Sequence, residues 1–311
     1  MGGTASSLQR VHFFLLRRMF LETDLLVIFN TKRCRYKCHF CQLPEKSVRE
    51  WVSEGEITSQ FANVLLKCKH ALSLLDRVTL SNEGSVLDES TFPRPALEAI
   101  VRAINELRRV RRLVLETRIE YVDEGALTKL NAVAPRTRLD VLTGFETLDE
   151  RIRDEVLGKQ ETLAQFIDGL DRLSRVPRAM ITCYVLLKPD PTMSDAAAIA
   201  EALESIRFLK RQTEKRGLEL FIRLNPMYSA EGSAWARRAQ AAGFLPPRLS
   251  DALEVARETV NIGVSVYIGL SAEGLAPIQS TYMAREDYTH ELLKEAIIFN
   301  QTLGSRRGQS S

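Results

Sequence analysis

Three cysteines stand close together early in the chain, in the order Cys34, Cys38 and Cys41. Spacings of four and three residues let their thiolates converge on one small object from a tight loop. Soft thiolate ligands suit iron–sulfur clusters and zinc. A closed structural zinc site wants four ligands, usually in two pairs, whereas three cysteines leave one iron of a cubane open for a substrate. A zinc knuckle that takes His39 as its fourth ligand is the alternative.

The remaining composition argues against a secreted or membrane protein. Five cysteines are an odd number and form no disulfide framework. No stretch reaches the ~20 apolar residues of a membrane span, and no signal-peptide pattern is visible. The formal charge of +3 permits a nucleic-acid partner without arguing for one. We therefore expect a cytoplasmic enzyme with no membrane partner.

Short apolar runs alternate with amphipathic helices along the whole chain. Candidate strands span residues 25–29, 77–81, 113–117, 139–143, 179–187, 219–224 and 264–269. The clearest helix places Leu97, Ile100, Val101, Ile104 and Leu107 on one face. Repeated strand–helix alternation predicts a parallel sheet, and six or seven such units suffice for a partial barrel but not for an eight-fold one. We expect an N-terminal arm (1–22), a core barrel (23–270) and a C-terminal helix with a disordered tail (271–311).

The Cys-x3-Cys-x2-Cys loop that follows the first predicted strand resembles the signature of the radical S-adenosylmethionine (SAM) superfamily. Phe40, the aromatic residue before the third cysteine, is also typical of that signature. Short motifs end the later strands at residues 81–85, 116–118, 144–147 with 157–159, 186–189 and 224–226. Their order is similar to that of the subgroup containing the elongator-type proteins and the archaeosine-forming lyase. The resemblance covers roughly residues 24 to 260.

The resemblance implies an α/β fold, a partial (β/α)6 TIM-like radical SAM barrel in a single domain with a C-terminal helical extension. It also implies a [4Fe–4S] cluster on the three cysteines and SAM on the open iron. An electron from a flavodoxin- or ferredoxin-type donor would then cleave SAM to a 5′-deoxyadenosyl radical, which abstracts hydrogen from a substrate. Such a site must exclude water and oxygen, so we expect a closed cavity.

Strand parity indicates which side chains point into the barrel, since alternate residues of a strand face the lumen. The predicted lumen is polar and charged. It comprises Thr79, Ser81, Glu116, Arg118, Asp140, Glu146, Thr182, Tyr184, Lys188, Arg223, Asn225, Ser265 and Tyr267, with Leu142 and Phe221 as apolar filler. The opposite, apolar faces would pack on the helices. They include Cys183, which we predict to be a buried core thiol like Cys68.

The resemblance and these positions together assign candidate roles. The cofactor-binding candidates are Phe40, Ser81, Asn82, Glu83, Glu116, Arg118, Glu146 and Leu187. The catalytic or substrate-binding candidates are Tyr184, Arg223, Asn225 and Tyr267. A carbonyl of Ser81 or Asn82 would meet the SAM amino group, and Arg118 would form a bidentate pair with the SAM carboxylate. Glu116 and Glu146 would contact the SAM ribose or amino group. Pairing of these charges with each other is the alternative.

Two enzymatic hypotheses remain for the substrate. The first is a small molecule, such as a nucleoside, sugar or amino-acid derivative, enclosed in the compact polar lumen by a tailoring enzyme. The second is tRNA modification, which predicts a basic rim around the cavity mouth and salt-sensitive RNA binding. A non-catalytic metal-binding interaction module is the third, weaker alternative.

Overall fold

The computed structural model describes residues 8, 10–82, 84–271 and 276–302. Over these residues one sheet contains eight strands in sequence order. They are β1 (Phe13–Met19), β2 (Glu22–Phe29), β3 (Arg77–Asn82), β4 (Arg112–Glu116), β5 (Arg138–Glu146), β6 (Met180–Leu187), β7 (Glu219–Pro226) and β8 (Ser265–Ile268). β2 to β8 are parallel neighbours, and β1 pairs antiparallel with β2. All seven predicted strands form, and the curled sheet is the predicted partial barrel.

The helices of the described residues lie mostly on the outer face of the sheet. They are α1 (Leu43–Lys46), α2 (Glu54–Lys67), α3 (Arg94–Glu106), α4 (Glu124–Val133), α5 (Leu163–Ser174), α6 (Asp195–Glu214), α7 (Ala234–Ala241), α8 (Leu249–Asn261) and α9 (His290–Gln301). Several begin at hydroxyl residues that cap the free backbone N–H groups, as Ser53 and Thr162 do through capping boxes. None of the helices in the described ranges is long and apolar enough to cross a membrane.

The predicted parity of the sheet is confirmed. The outward-facing residues of the strands, such as Leu80, Val141 and Ile222, are fully buried in one large core with the inner faces of the helices. Cys183 and Cys68 are both members of that core, as predicted. Burying these apolar side chains supplies the main stabilisation of the fold. The opposite face of the sheet carries most of the buried polar side chains, together with apolar filler such as Leu142 and Phe221.

The strand β1 is an addition that the apolar pattern did not predict. Its turn to β2 consists of Phe20 and Leu21, both with positive φ (51° and 65°). The Phe20 ring packs edge-on against Phe221 at 5.0 Å and Tyr267 at 6.0 Å, between ring centroids. Because this turn lies at the amino ends of the parallel strands, Phe20 plugs the bottom of the lumen. Phe221 is therefore the bottom filler that parity predicted.

A network of buried charges lies in the lower lumen. It comprises Arg17, Arg77 and Arg112 with Glu22, Asp24 and Asp140. Asp24 is fully buried and accepts a hydrogen bond from Arg17 Nε at 2.8 Å, while Arg77 Nε lies 3.7 Å from it. Three guanidinium groups thus face three carboxylates. Their charges compensate one another, as buried ions require.

The C-terminal helix α9 packs against both β8 and β1, which are the two edges of the sheet. Asn300 on α9 receives a hydrogen bond from Ile268 N at 2.8 Å and donates one to Ile268 O at 2.9 Å. These bonds satisfy backbone groups of the edge strand β8 that have no further strand to pair with. The helical extension therefore closes the gap in the partial barrel.

Candidate functional site

The cysteine loop leaves the carboxyl end of β2 and runs to α1. Cys34, Cys38 and Cys41 are unpaired, half-buried thiols. The Cys41 N–H donates to Cys38 O at 3.1 Å, which folds the loop back on itself. Burial raises the pKa of all three thiols, and that of Cys41 to about 12. The neighbouring Cys34 and Cys38 raise the pKa of Cys41 further, so the three sulfur atoms share one environment.

Residues between the cysteines anchor this loop to the barrel. The His39 N–H donates to Leu157 O at 2.7 Å, and Trp235 N–H donates to His39 O at 2.9 Å. Phe40 packs on a small apolar cluster that contains Leu157 and the fully buried Trp235. The His39 ring contacts Gly158, where an added Cβ would lie 2.7 Å away. The loop is thus fixed by the segment after β5 and by α7.

The loop after β3 passes directly beside the first cysteine. A Cβ added to Gly84 would lie 3.2 Å from Cys34 Cβ and 3.7 Å from its Sγ. Ser81 and Asn82 are buried just before it, and Ser81 Oγ donates to the Asn82 carbonyl at 3.2 Å. Glu83, another cofactor-binding candidate, lies outside the described residues. The β3 end therefore forms one wall of the thiol site, where the candidate contact to the SAM amino group was predicted.

The side chain of Arg118 crosses from the end of β4 to the cysteine loop. Its Nη1 lies 3.9 Å from Cys38 Sγ and donates to Lys159 O at 2.9 Å. Its Nε donates to Glu120 at 2.6 Å, and its guanidinium stacks on the Tyr36 ring at 3.8 Å. The predicted SAM-carboxylate ligand is thus held against a cysteine by several protein groups.

Two buried residues next to this arginine were missed as site residues. Lys159 Nζ lies 3.4 Å from Glu146 and 3.7 Å from Glu161, and it also hydrogen-bonds to Gly144 O. Burial raises the pKa of Glu161 to about 7, although Lys159 and Arg118 act to lower it. Glu146 is buried with a positive φ of 70°. The candidate Glu146 therefore already has a cationic partner in the protein.

In the lumen, three predicted side chains meet across the sheet. Arg223 Nη1 donates to Tyr184 Oη at 2.8 Å, and Tyr184 donates to Glu116 at 3.3 Å. Asn225 lies beside Gly269, where an added Cβ would be 2.5 Å from its Oδ1. Tyr267 on β8 is the register partner of Arg223 on β7, and its ring contacts Phe20. Leu187 is fully buried, and its carbonyl accepts a hydrogen bond from Met227 N at 2.9 Å. The structure thus joins Glu116, Tyr184 and Arg223 by hydrogen bonds and sets Tyr267 beside Arg223 on the neighbouring strand.

The donor set fits an iron–sulfur cluster. Three soft thiols lie on one loop, and a side chain at Gly84 would crowd Cys34. Within the described ranges, no group of three His, Cys, Asp or Glu side chains stands in position to hold a metal ion. A bound cation would also deprotonate the thiols, whose pKa values burial raises.

Comparison with known proteins places the chain among archaeal relatives of low identity. No protein-family model matches it. An uncharacterized protein of Methanocaldococcus jannaschii is 22% identical over 91% of this chain and 77% of its own length. The archaeosine synthase subunit beta of Thermococcus kodakarensis is 25% identical over 75% of this chain and 71% of its own length.

Solved structures share the fold. Elp3 of Methanocaldococcus infernus superposes with a TM-score of 0.53 at 15% identity, over 81% of this chain and 59% of that one. Spore photoproduct lyase superposes with a TM-score of 0.56 at 15% identity, over 86% of this chain and 80% of that one. The shared fold confirms the predicted partial TIM-like α/β barrel, and the likeness to Elp3 and to the archaeosine synthase subunit beta confirms the predicted resemblance to the elongator-like subgroup.

Proposed function

We propose that this chain is a radical SAM enzyme that holds a [4Fe–4S] cluster on Cys34, Cys38 and Cys41. The observation that carries the proposal is the position of the three thiols at the carboxyl end of a parallel partial barrel. They lie on a loop anchored to the rim and directly beside the turn that follows β3. Active sites of barrels built from parallel strands lie at this end. When bound, the cluster and SAM supply a 5′-deoxyadenosyl radical.

The residues of the chain bind the iron, anchor the cysteine loop, exclude water and hold the substrate. The three thiolates bind iron, and the anchors through Leu157 and Trp235 keep their loop in place. Phe40 and its apolar neighbours shield that side from water. The chain from Arg223 through Tyr184 to Glu116 holds a substrate by hydrogen bonds within the lumen. An acidic flavodoxin- or ferredoxin-type protein supplies the electron.

A small molecule is the substrate that the lumen favours. Phe20 closes the lumen from below and the charge network above it is internally compensated, so only the upper layer is left to bind a ligand. That layer presents a carboxylate, a phenol and a guanidinium within hydrogen-bonding distance of each other. Nucleosides, sugars and amino-acid derivatives offer matching donors and acceptors.

One observation favours the second candidate, tRNA modification. The cysteine loop contains Lys32, Arg33, Arg35 and Lys37, and no acidic residue occurs between Asn30 and Pro44. Three of the four side chains, Lys32, Arg35 and Lys37, are exposed. They form part of the basic rim that an RNA substrate requires. The archaeosine synthase relative agrees with this candidate.

The chemistry is tested with anaerobically reconstituted protein, by measuring iron, sulfide and zinc and then 5′-deoxyadenosine after reduction with dithionite in the presence of SAM. We expect a cubane and SAM cleavage, both abolished by Cys38→Ala. Cys68→Ala is the matched control, because Cys68 is buried in the core away from the loop. Bound zinc in place of iron, or an equal loss in both variants, would refute the proposal.

The substrate is tested separately. Deuterated small molecules that transfer label to 5′-deoxyadenosine would establish the first candidate. Salt-sensitive tRNA binding that weakens in a Lys32→Ala, Arg35→Ala, Lys37→Ala variant would establish the second.

A further inference from the structure

Arg118 is built into the protein and is not free to follow a ligand. The carbonyls of Lys159 and Gln160 accept bonds from its two Nη atoms at 2.9 and 3.2 Å. Glu120 accepts from its Nε, and the Tyr36 ring covers one face of the guanidinium. These contacts fix the orientation of the planar guanidinium group of Arg118 and therefore of its five N–H donors. Nη1 carries two N–H groups, and besides the bond to Lys159 O it lies 3.9 Å from Cys38 Sγ in the cysteine loop.

A cation that hydrogen-bonds to a cluster thiolate has a defined electrostatic effect. Reduction adds a negative charge to the cluster, and hydrogen bonds to the sulfur atoms are among the factors that set its potential. A positive charge at this distance stabilises the reduced form more than the oxidised form. Arg118 is largely buried, with 11% of its side chain exposed, so solvent screens it only weakly.

We propose that Arg118 is a positioning and tuning residue that donates a hydrogen bond to the Cys38 thiolate and raises the reduction potential of the cluster. The proposal rests on the proposed function, since it requires the cubane. Glu120 opposes the effect, because its carboxylate lies 2.6 Å from Arg118 Nε and cancels part of the charge. The two residues therefore shift the potential in opposite directions.

The experiment is a redox titration of the reconstituted cluster without SAM or substrate, followed by electron paramagnetic resonance of the reduced form. Arg118→Gln should lower the potential by about 59 mV, a tenfold change in the one-electron equilibrium constant. Glu120→Gln keeps a hydrogen-bond acceptor but removes the charge, so it should raise the potential. Arg102→Gln is the control, since this arginine is 63% exposed on α3 and pairs with Glu98.

The potentials of the variants decide whether Arg118 raises the reduction potential of the cluster. A full cubane in Arg118→Gln with the potential of the Arg102→Gln control overturns the proposal, as does a Glu120→Gln shift to lower potential. If Arg118→Gln fails to load iron, the sign of the Glu120→Gln shift alone settles the question. If Arg118 served only to bind SAM, the SAM-free potential would not move. Absence of a cubane in the unaltered protein refutes the proposed function instead, so the two failures are distinguishable.

Discussion

Replacing Glu161 by glutamine should change how the stability of the protein depends on pH. Burial raises the pKa of Glu161 from 4.5 to about 7 in the folded chain, whereas the unfolded chain exposes an ordinary glutamate. Between these two values the folded state binds more protons than the unfolded state. The free energy of unfolding therefore falls as the pH rises through this window. Glutamine does not titrate, so the variant lacks this component.

The magnitude follows from the size of the shift. A pKa raised from 4.5 to about 7 corresponds to roughly 3 kcal/mol of differential stability. Most of this falls between pH 5 and pH 8, because the window is almost complete by pH 8 and has only begun at pH 5. Titrating groups that do not interact with Glu161 contribute equally to both proteins and cancel in the comparison. The excess loss of stability in the unaltered protein is thus the quantity to measure.

Urea denaturation of the metal-free protein at pH 5 and pH 8 provides the assay, with the unfolding free energy extrapolated to water. From pH 5 to pH 8 the unaltered protein should lose between about 2 and 3 kcal/mol more than Glu161→Gln. Glu254→Gln is the control, since Glu254 is exposed on α8. Parallel pH profiles for the unaltered protein and Glu161→Gln would refute the assignment of a raised pKa to this buried carboxyl group.

Two further substitutions test the anchoring of the site and the lower lumen. Gly158→Ala should cost clearly more stability than Gly217→Ala and also reduce iron uptake, because both glycines have positive φ but only the Cβ at Gly158 would meet the His39 ring. Equal losses in urea denaturation would contradict the contact with His39. Arg77→Met should destabilise the metal-free protein by about 3 kcal/mol, since it leaves the fully buried Asp24 with one fewer cationic partner. A loss below about 1 kcal/mol would show that Arg17 alone compensates Asp24.

The parallel strands were predictable because the alternation of apolar and polar residues directly encodes two faces of a sheet. The strand β1 could not be predicted, because the apolar patterns of β1 and its neighbour β2 are interrupted by charged residues. These are Arg17, Arg18, Glu22 and Asp24. In the structure Arg17 and Asp24 are direct cross-strand partners, and their side chains form an ion pair at 2.8 Å. Charges that looked like strand breakers in the sequence are thus paired inside the sheet. Only the pairing of the two strands makes them acceptable in the interior.

The cysteine loop could be found from local spacing, but its supports could not. Trp235, Lys159 and Glu161 come from segments more than 100 residues further along the chain and meet the loop or its neighbours only after folding. Parity also could not give the direction of Arg118, since β4 ends at Glu116 and alternation has no meaning beyond it. The assignment of this arginine to a SAM contact stays a prediction, and the structure adds its approach to Cys38.

Depth within the barrel separates charges that maintain the fold from charges available for chemistry. In the lower lumen each carboxylate faces a guanidinium and the turn at Phe20 closes the space, so a ligand there would have to break existing ion pairs. In the upper lumen Glu116, the last residue of β4, is linked to Tyr184 and Arg223, which are register partners in the middle of β6 and β7. A buried ion pair contributes little net stability. The hydrogen-bonded Glu116–Tyr184–Arg223 chain therefore determines which ligands can bind more than it stabilises the fold. Substitutions in the upper chain should therefore change substrate binding with small losses of stability, whereas those in the lower network should do the reverse.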